Sequence, residues 1–242
     1  MCKEVRTIDT RPFRSVPLAV TRLLMLCFVA VFAAGCVSMS GVKTDSSWRE
    51  GTIKLRKIAM IPFQNVHSPD SSQRFMRCPL SGAFLRTCDI QGDAPGILED
   101  LLVGELKAKG KFVLITPERV EGIYRRISAI SFQDSVREKL RKTGEELGVD
   151  AILAGYVFCY TERRGYTYTV EQPASAVFCV HLLRVQDGVT LWKGAFDKTQ
   201  SSLMENLFEA GSFFRGGGKW VTVRELSREG VKALLKTFPN VE

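Results

Sequence analysis

Hydrophobic and polar positions divide the chain into an apolar leader, a polar stretch, and a series of strand-like and helix-like segments. The run LLMLCFVAVFAA at residues 23–34 is apolar without interruption. Residues 37–52 are small and polar with little periodicity, which is typical of a flexible tether. The segment KIAMIPFQNV (57–66) predicts a strand that Pro62 interrupts or ends.

Helical spacing characterises the next part of the chain. Apolar residues recur every three or four positions in a run that opens at Pro95 and ends at Gly110, and this pattern predicts a helix. KFVLIT (111–116) predicts a short strand. A second predicted helix begins at Pro117 and a third covers about residues 134–147. Strands alternating with helices are typical of an α/β fold.

Three strand-like segments and a helix complete the chain. Asp187-Gly188 is a strong hairpin signal between the last two strands. We therefore predict an antiparallel meander, followed by a helix over 221–238. The predicted fold class is α/β, with a mixed β-sheet that contains the meander and is flanked by helices. The three strand segments are AILAGYVFCYTER (151–163), ASAVFCVHLLRV (174–185) and VTLWKGAFDK (189–198).

The N-terminus has the pattern of a secretory signal. Five basic residues and two acidic ones precede the apolar run, and small residues follow it. The junction Ala33-Ala34-Gly35-Cys36 resembles the bacterial lipobox, which implies cleavage before Cys36 and acylation of that cysteine. The alternatives are an ordinary signal peptide with a chance cysteine, or a short membrane anchor. We predict a lipoprotein signal peptide at 1–35, a lipidated Cys36 with a flexible tether at 36–52, and a single α/β periplasmic domain at 53–242.

Lipidation would also determine where the protein resides. Two or more acyl chains hold a protein firmly on a bilayer. Val37 follows Cys36, where an aspartate would resemble an inner-membrane retention signal. We therefore predict a location in the bacterial cell envelope, anchored in the outer membrane and facing the periplasm. Export places the chain away from nucleic acid. Removal of residues 1–35 deletes five basic and two acidic residues and lowers the net charge from +8 to +5. This modest surplus is usual for a solvated surface and could help contact with anionic lipid headgroups or wall polymers, and it predicts nothing sharper.

Four cysteines lie beyond the lipobox, and an even number in an exported chain suggests disulfides. Three connectivities are open. We prefer Cys78–Cys88, which would staple the long 67–94 loop into a hairpin, together with Cys159–Cys179. The latter two lie opposite each other if their hairpin turns near residue 168 or 169; they are either bridged or simply small buried hydrophobes.

Catalytic and metal chemistry have few candidate residues. His67 and His181 are the two histidines, so a metal site with several histidine ligands is excluded. We expect no Ser-His-Asp, Cys-His or HExxH arrangement from two isolated histidines, and we interpret His181 as a structural residue within a strand. A metal or redox pair of Cys78 and Cys88 with His67 fits no zinc spacing. The sequence predicts no catalytic residue, no metal and no cofactor.

Residues 201–220 combine apolar side chains with a run of glycines. This segment predicts a short amphipathic helix and a hinge that either pack on the core or engage a partner or lipid. Together with the 67–94 loop, it supplies the candidate partner surface: Phe84, Leu203, Leu207, Phe208, Phe213 and Phe214.

The element order and the phrases LGVDAILAGYV and DGVTLWKG resemble a superfamily of periplasmic lipoproteins. It includes the CsgG curli-export lipoprotein, the LpoB-type activators of peptidoglycan synthases and the N-terminal domain of TolB. The resemblance covers about Lys57 to Pro239 and implies a mixed sheet flanked by helices, with no cofactor and no catalysis.

The expected function combines this resemblance with the lipid anchor. Anchoring raises the local concentration of a binding module at one membrane. We expect a non-enzymatic envelope lipoprotein that binds another envelope protein, of unknown identity, as an assembly or accessory factor. A homo-oligomer stays open. The alternative is a subunit of a CsgG-like outer-membrane secretion channel.

Overall fold

The computed structural model describes residues 41–45, 54–67, 73–165, 170–200 and 221–241, all within one unit, Ser40–Glu242. The predicted signal peptide, Cys36 and the 201–220 segment lie outside these ranges. None of the helices described is long and apolar enough to cross a bilayer. The elements are β1 (Val42–Asp45), β2 (Lys57–Met60), β3 (Gln64–Asn65), β4 (Phe75–Arg77), β5 (Phe84–Arg86), α1 (Ala94–Lys109), β6 (Val113–Ile115), α2 (Pro117–Ile130), α3 (Val136–Leu147), β7 (Ala151–Thr161), β8 (Arg164–Gly165), β9 (Val170–Gln172), β10 (Ser175–Arg184), β11 (Thr190–Thr199) and α4 (Val223–Leu235).

The main sheet is mixed, as predicted. Its strands follow the order β1-β11-β10-β7-β2-β6, and β3 also pairs with β7. β7, β10 and β11 form the antiparallel meander, whereas β2 runs parallel to both β6 and β7. The predicted strand at 57–66 is split at Pro62 into β2 and β3, because proline lacks the N–H that a continuous ladder requires.

Helices cover both faces of the sheet. On one face α1 and α4 pack over a cluster that includes Leu98, Trp192 and Leu226. On the other face α2, α3 and the β4–β5 hairpin pack over a cluster that includes Leu85 and Leu140. β7 is buried along its whole length, which explains why its sequence is a nearly continuous apolar run rather than an alternating one.

Helix boundaries follow from local capping chemistry. α4 begins at a capping box in which Thr222 and Glu225 satisfy each other's backbone N–H groups. α1 and α3 end at Gly110 and Gly148, both of which have a left-handed backbone, a conformation that glycine adopts without steric cost. These signals lie within a few residues of each boundary, which is why the sequence predicted the four helices.

The predicted tether is wrong at its centre. Residues 42–45, assigned to the flexible segment 36–52, form β1 and pair antiparallel with β11, Val42 opposite Phe196. The N–H of Asp197 also donates to the carbonyl oxygen of Gly41 at 2.8 Å. Strand pairing uses backbone groups, so a polar segment can complete a sheet edge without a hydrophobic pattern to reveal it. The fold therefore includes residues well before 53.

Candidate functional site

The β4–β5 hairpin forms a small two-stranded layer over one face of the sheet. Its register places Arg77 opposite Phe84 and Met76 opposite Leu85. Leu85 is buried, whereas Phe75 and Phe84 are 57% and 65% exposed. The guanidinium of Arg77 lies 5.2 Å from the centre of the Phe84 ring. The hairpin thus turns one set of side chains into the core and presents two phenylalanines to solvent.

The chain after the hairpin runs alongside the end of β7. The N–H of Cys88 donates to the carbonyl oxygen of Phe158 at 3.2 Å, and the N–H of Gln91 donates to that of Tyr160 at 2.8 Å. This parallel arrangement brings Cys88 beside Cys159, and the two form a disulfide. The hairpin is therefore covalently fastened to the central strand.

The preferred pairing of cysteines is corrected by this bond. Cys78–Cys88 does not form because Cys78 pairs with Ala83 across the turn, its N–H donating to the Ala83 carbonyl oxygen at 2.8 Å. Cys159–Cys179 does not form because the register of β7 against β10 pairs Cys159 with Val177 and Cys179 with Tyr156. Cys78 and Cys179 are both buried and free.

A polar network also ties the hairpin to the meander. The Nη2 atom of Arg86 donates to Oδ1 of Asp197 at 2.9 Å and to Oγ of Ser175 at 3.1 Å. The Ser175 hydroxyl in turn lies 2.9 Å from the hydroxyl of Thr199. Arg86 and Asp197 are each about one-third exposed, so the pair restricts orientation more than it stabilises the fold.

Two cysteines and a histidine meet beneath the hairpin. Cys179 and His181 are two positions apart on β10 and share one face of the strand, and Cys78 approaches from the hairpin. The Sγ atom of Cys78 lies 3.3 Å from Sγ of Cys179 and 3.1 Å from Nε2 of His181. Nε2 of His181 is 3.3 Å from Sγ of Cys179. All three residues are 2% exposed.

Burial and mutual contacts shift the pKa values of the side chains in and around this cluster. The hydrogen bond from the Cys179 thiol lowers the pKa of Cys78, and His181 adds to this effect against the opposing influence of burial. Burial raises the pKa of Cys179 well above its ordinary value. Tyr156 packs edge-on against the His181 ring, and burial raises its pKa as well.

A pocket of about 260 Å³ opens beside the cluster. Phe84 and Leu85 line it from the hairpin, and Cys179 and His181 line it from β10. Lys43 of β1 and Lys193 of β11 belong to the same lining. The pocket therefore combines an apolar wall, soft sulfur and nitrogen donors, and positively charged side chains.

The outcome for the residues predicted from sequence is mixed. Phe84 is exposed, and part of the 67–94 loop forms a hairpin, although the Cys78–Cys88 bond on which that prediction depended is absent. The expectation that no Cys-His arrangement forms is wrong, because Cys78 and His181 are in contact. The alternation Cys179-x-His181 on a predicted strand was the available signal. Cys36 lies outside the described residues. So does the apolar part of the predicted partner surface, which consists of Leu203, Leu207, Phe208, Phe213 and Phe214.

Comparisons with known proteins give distant structural likenesses. No protein-family model matches the chain, and no curated protein sequence matches it significantly. The PelC dodecamer from Paraburkholderia phytofirmans is similar over 80% of this chain and 93% of its own, with 14% identity and a TM-score of 0.45. The LpoB C-terminal domain from Salmonella enterica is similar over 61% and 86%, with 16% identity and a TM-score of 0.36. Lipoprotein GNA1162 from Neisseria meningitidis is similar over 67% and 99%, with 16% identity and a TM-score of 0.37.

The solved structures that the chain resembles thus include LpoB and another lipoprotein. At this level of similarity, the likenesses carry no argument about partners or assembly. The likeness to CsgG and TolB stays a prediction. The α/β class with a mixed sheet is the observed fold of this chain.

Proposed function

We propose that this protein is a non-enzymatic bacterial envelope lipoprotein, anchored in the outer membrane through Cys36, that binds another envelope protein as an assembly or accessory factor. The observation that carries the proposal is the β4–β5 hairpin. It exposes Phe75 and Phe84 to solvent while the Cys88–Cys159 disulfide fastens its base to the sheet.

The disulfide supports an exported location. Disulfides persist in oxidising compartments such as the periplasm and are rare in the bacterial cytosol. Cys88–Cys159 joins two segments that are far apart in sequence. This agrees with the secretory signal that residues 1–35 predict.

The hairpin surface, defined here as Phe75, Arg77 and Phe84, has the composition of a binding site. Aromatic residues and arginine are enriched among the residues that dominate binding energy at protein interfaces. The buried Leu85 and the Arg86–Asp197 pair hold the hairpin in place. A surface that is ordered before binding loses less conformational entropy when the partner arrives.

Charge indicates the chemistry of the partner. Arg77 belongs to the hairpin surface, and Lys43 lines the adjoining pocket. We expect the partner to contribute a segment in which apolar side chains alternate with carboxylates. The apolar groups would cover Phe84, and the carboxylates would face the basic side chains.

Photocrosslinking in intact cells tests this function. A photoreactive residue at Phe84 should yield one discrete adduct, and Phe75→Ser in the same chain should weaken it. Phe132, a phenylalanine that is 74% exposed between α2 and α3, is the matched control and should not give that adduct. No adduct at Phe84, or the same adducts from both positions, would contradict the proposed surface.

The anchor and the oligomeric state have separate tests. Radioactive palmitate should label the wild-type chain and not the Cys36→Ala variant. The alternative of a secretion-channel subunit stays a prediction, and it requires a ring that survives detergent extraction. A monomer after extraction would count against that alternative.

A further inference from the structure

The Cys78–Cys179–His181 cluster has no role in the proposed binding function. Its three donor atoms all lie within 4.8 Å of one another. Two of the donors come from a single strand, and the third comes from the hairpin that packs on it. We propose that these three residues form a binding site for one thiophilic cation, Zn²⁺ or Cu⁺.

The donor set suits such a cation. Thiolate sulfur and imidazole nitrogen are soft or borderline ligands, which zinc and copper(I) prefer over the oxygen donors that magnesium and calcium select. The cation would displace the thiol protons to solvent, because only the deprotonated sulfur binds a metal. Cys78 and Cys179 would each supply one sulfur, and His181 would supply Nε2.

Distances favour a cation over a second disulfide. Zinc bonds of about 2.3 Å to sulfur and about 2.0–2.1 Å to nitrogen place tetrahedral ligands about 3.5–3.8 Å apart. The observed separations are 3.1 Å and 3.3 Å, so each pair must open by about 0.5 Å or less. A disulfide requires the Cys78 and Cys179 sulfurs to approach by about 1.2 Å, to a bond length of about 2.05 Å.

Burial gives a second reason. The imidazole of His181 lies on an otherwise apolar face of β10, between Cys179 and Leu183, and is 2% exposed. A buried polar ring without a strong partner costs free energy. The sulfurs of a disulfide are weak acceptors and would offer Nε2 of His181 only a weak hydrogen bond. A metal ion would instead form a coordination bond with this nitrogen.

Access is provided by the pocket beside the cluster. Cys179 and His181 both line this pocket of about 260 Å³, so a cation could enter from solvent. A zinc ion held by three protein ligands keeps a fourth position for water or another ligand, and the pocket has room for one. The bound cation would also join the hairpin to β10 independently of the Cys88–Cys159 bond.

Metal titration of the purified mature protein, cleaved before Cys36 and acylated there, tests the site. The protein is kept free of oxygen, and a thiol assay first verifies two free thiols. Zn²⁺ and Cu⁺ are then titrated separately against chromophoric competitor chelators. We expect one equivalent of at least one cation to bind and to protect Cys78 and Cys179 from alkylation. Cobalt(II), used as a spectroscopic probe for zinc, should give thiolate-to-metal charge-transfer absorption.

Variants assign the ligands. His181→Ala and Cys78→Ser should each weaken binding at least about 10-fold, because removing a ligand costs at least as much as removing the group that orients it. His67→Ala is the matched control, since it removes the other histidine, which is exposed, and should bind as the wild type does. Circular dichroism verifies that each variant is folded. Protection of Cys78 and Cys179 from alkylation is measured on the wild type, so this result does not depend on the folding of any variant.

Three results would overturn the proposal. The first is a protein with two verified thiols that binds neither cation. The second is equal binding by the His181→Ala and His67→Ala variants. The third is a Cys78–Cys179 disulfide in protein isolated directly from cells, detected by mass spectrometry of a non-reduced digest.

Discussion

Removal of the Cys88–Cys159 disulfide is the perturbation whose magnitude follows most directly from the structure. The bond joins residues 71 positions apart. In the loop-closure model, opening a ring of that size raises the entropy of the unfolded chain enough to cost about 4 kcal/mol of stability at 25 °C. The double variant Cys88→Ser/Cys159→Ser should lose that amount.

Urea unfolding measures this loss. With a denaturant dependence of about 2–3 kcal/mol/M, the unfolding midpoint of the double variant should lie about 1.3–2 M below that of the oxidised wild type. A reductant is the internal control. It should shift the wild type by a similar amount and leave the double variant unchanged, because Cys78 and Cys179, the cysteines that remain in the described part of the chain, are unbonded.

Two results would refute the reasoning about this bond. One is a midpoint that the double substitution leaves in place. The other is a non-reduced digest in which Cys78 is linked to Cys88, or Cys159 to Cys179. A shift of the double variant on reduction would instead reveal a bond between Cys78 and Cys179, which would count against the cation site.

Three further perturbations have defined outcomes. Gly155→Ala places a Cβ 2.4 Å from the Phe63 ring, and this overpacking should lower the free energy of unfolding by about 1–3 kcal/mol in a urea titration. Thr222→Ala removes the side-chain cap of α4 and should cost about 1 kcal/mol in the same assay. The hydrogen bond from Arg184 lowers the pKa of Asp187 from 3.8 to about 2. The ionised Asp187 therefore stabilises the fold above pH 3.8, and this stabilisation is lost as the pH falls toward 2. Asp187→Asn should therefore lose less stability than the wild type between pH 4 and pH 2, and equal losses would contradict this assignment.

The secondary structure was predictable where its determinants are local. The helix that opens at Pro95 and ends at Gly110 carries its apolar spacing and its stop signal within one segment. Asp187-Gly188 marked the hairpin between β10 and β11 for the same reason. These features depend on residues a few positions apart, so the sequence pattern predicted them and the structure confirmed them.

The site was not predictable because it depends on register and on long-range packing. The register of β7 against β10 pairs Cys159 with Val177 and Cys179 with Tyr156, and no residue pattern predicts that alignment. Cys88 reaches Cys159 only because the chain after the hairpin aligns with β7. The contact between Cys78 and His181 joins residues 103 positions apart. Two histidines that are isolated in the sequence gave no indication that one of them would meet a cysteine.

The hairpin links the two proposals that concern this protein. It presents Phe84 to solvent and carries Cys78 into the core. A cation bound by Cys78, Cys179 and His181 would stiffen the same element that we expect to contact the partner. The two proposals remain separable, because crosslinking from Phe84 and metal titration measure different properties of the hairpin.

Mass spectrometry of the N-terminal peptide of the protein purified from its native membrane tests the central claim of a lipid-anchored envelope protein. The account predicts a first residue at Cys36 that carries a thioether-linked diacylglycerol and an amide-linked acyl chain. An unmodified peptide that extends upstream through Gly35 would contradict it.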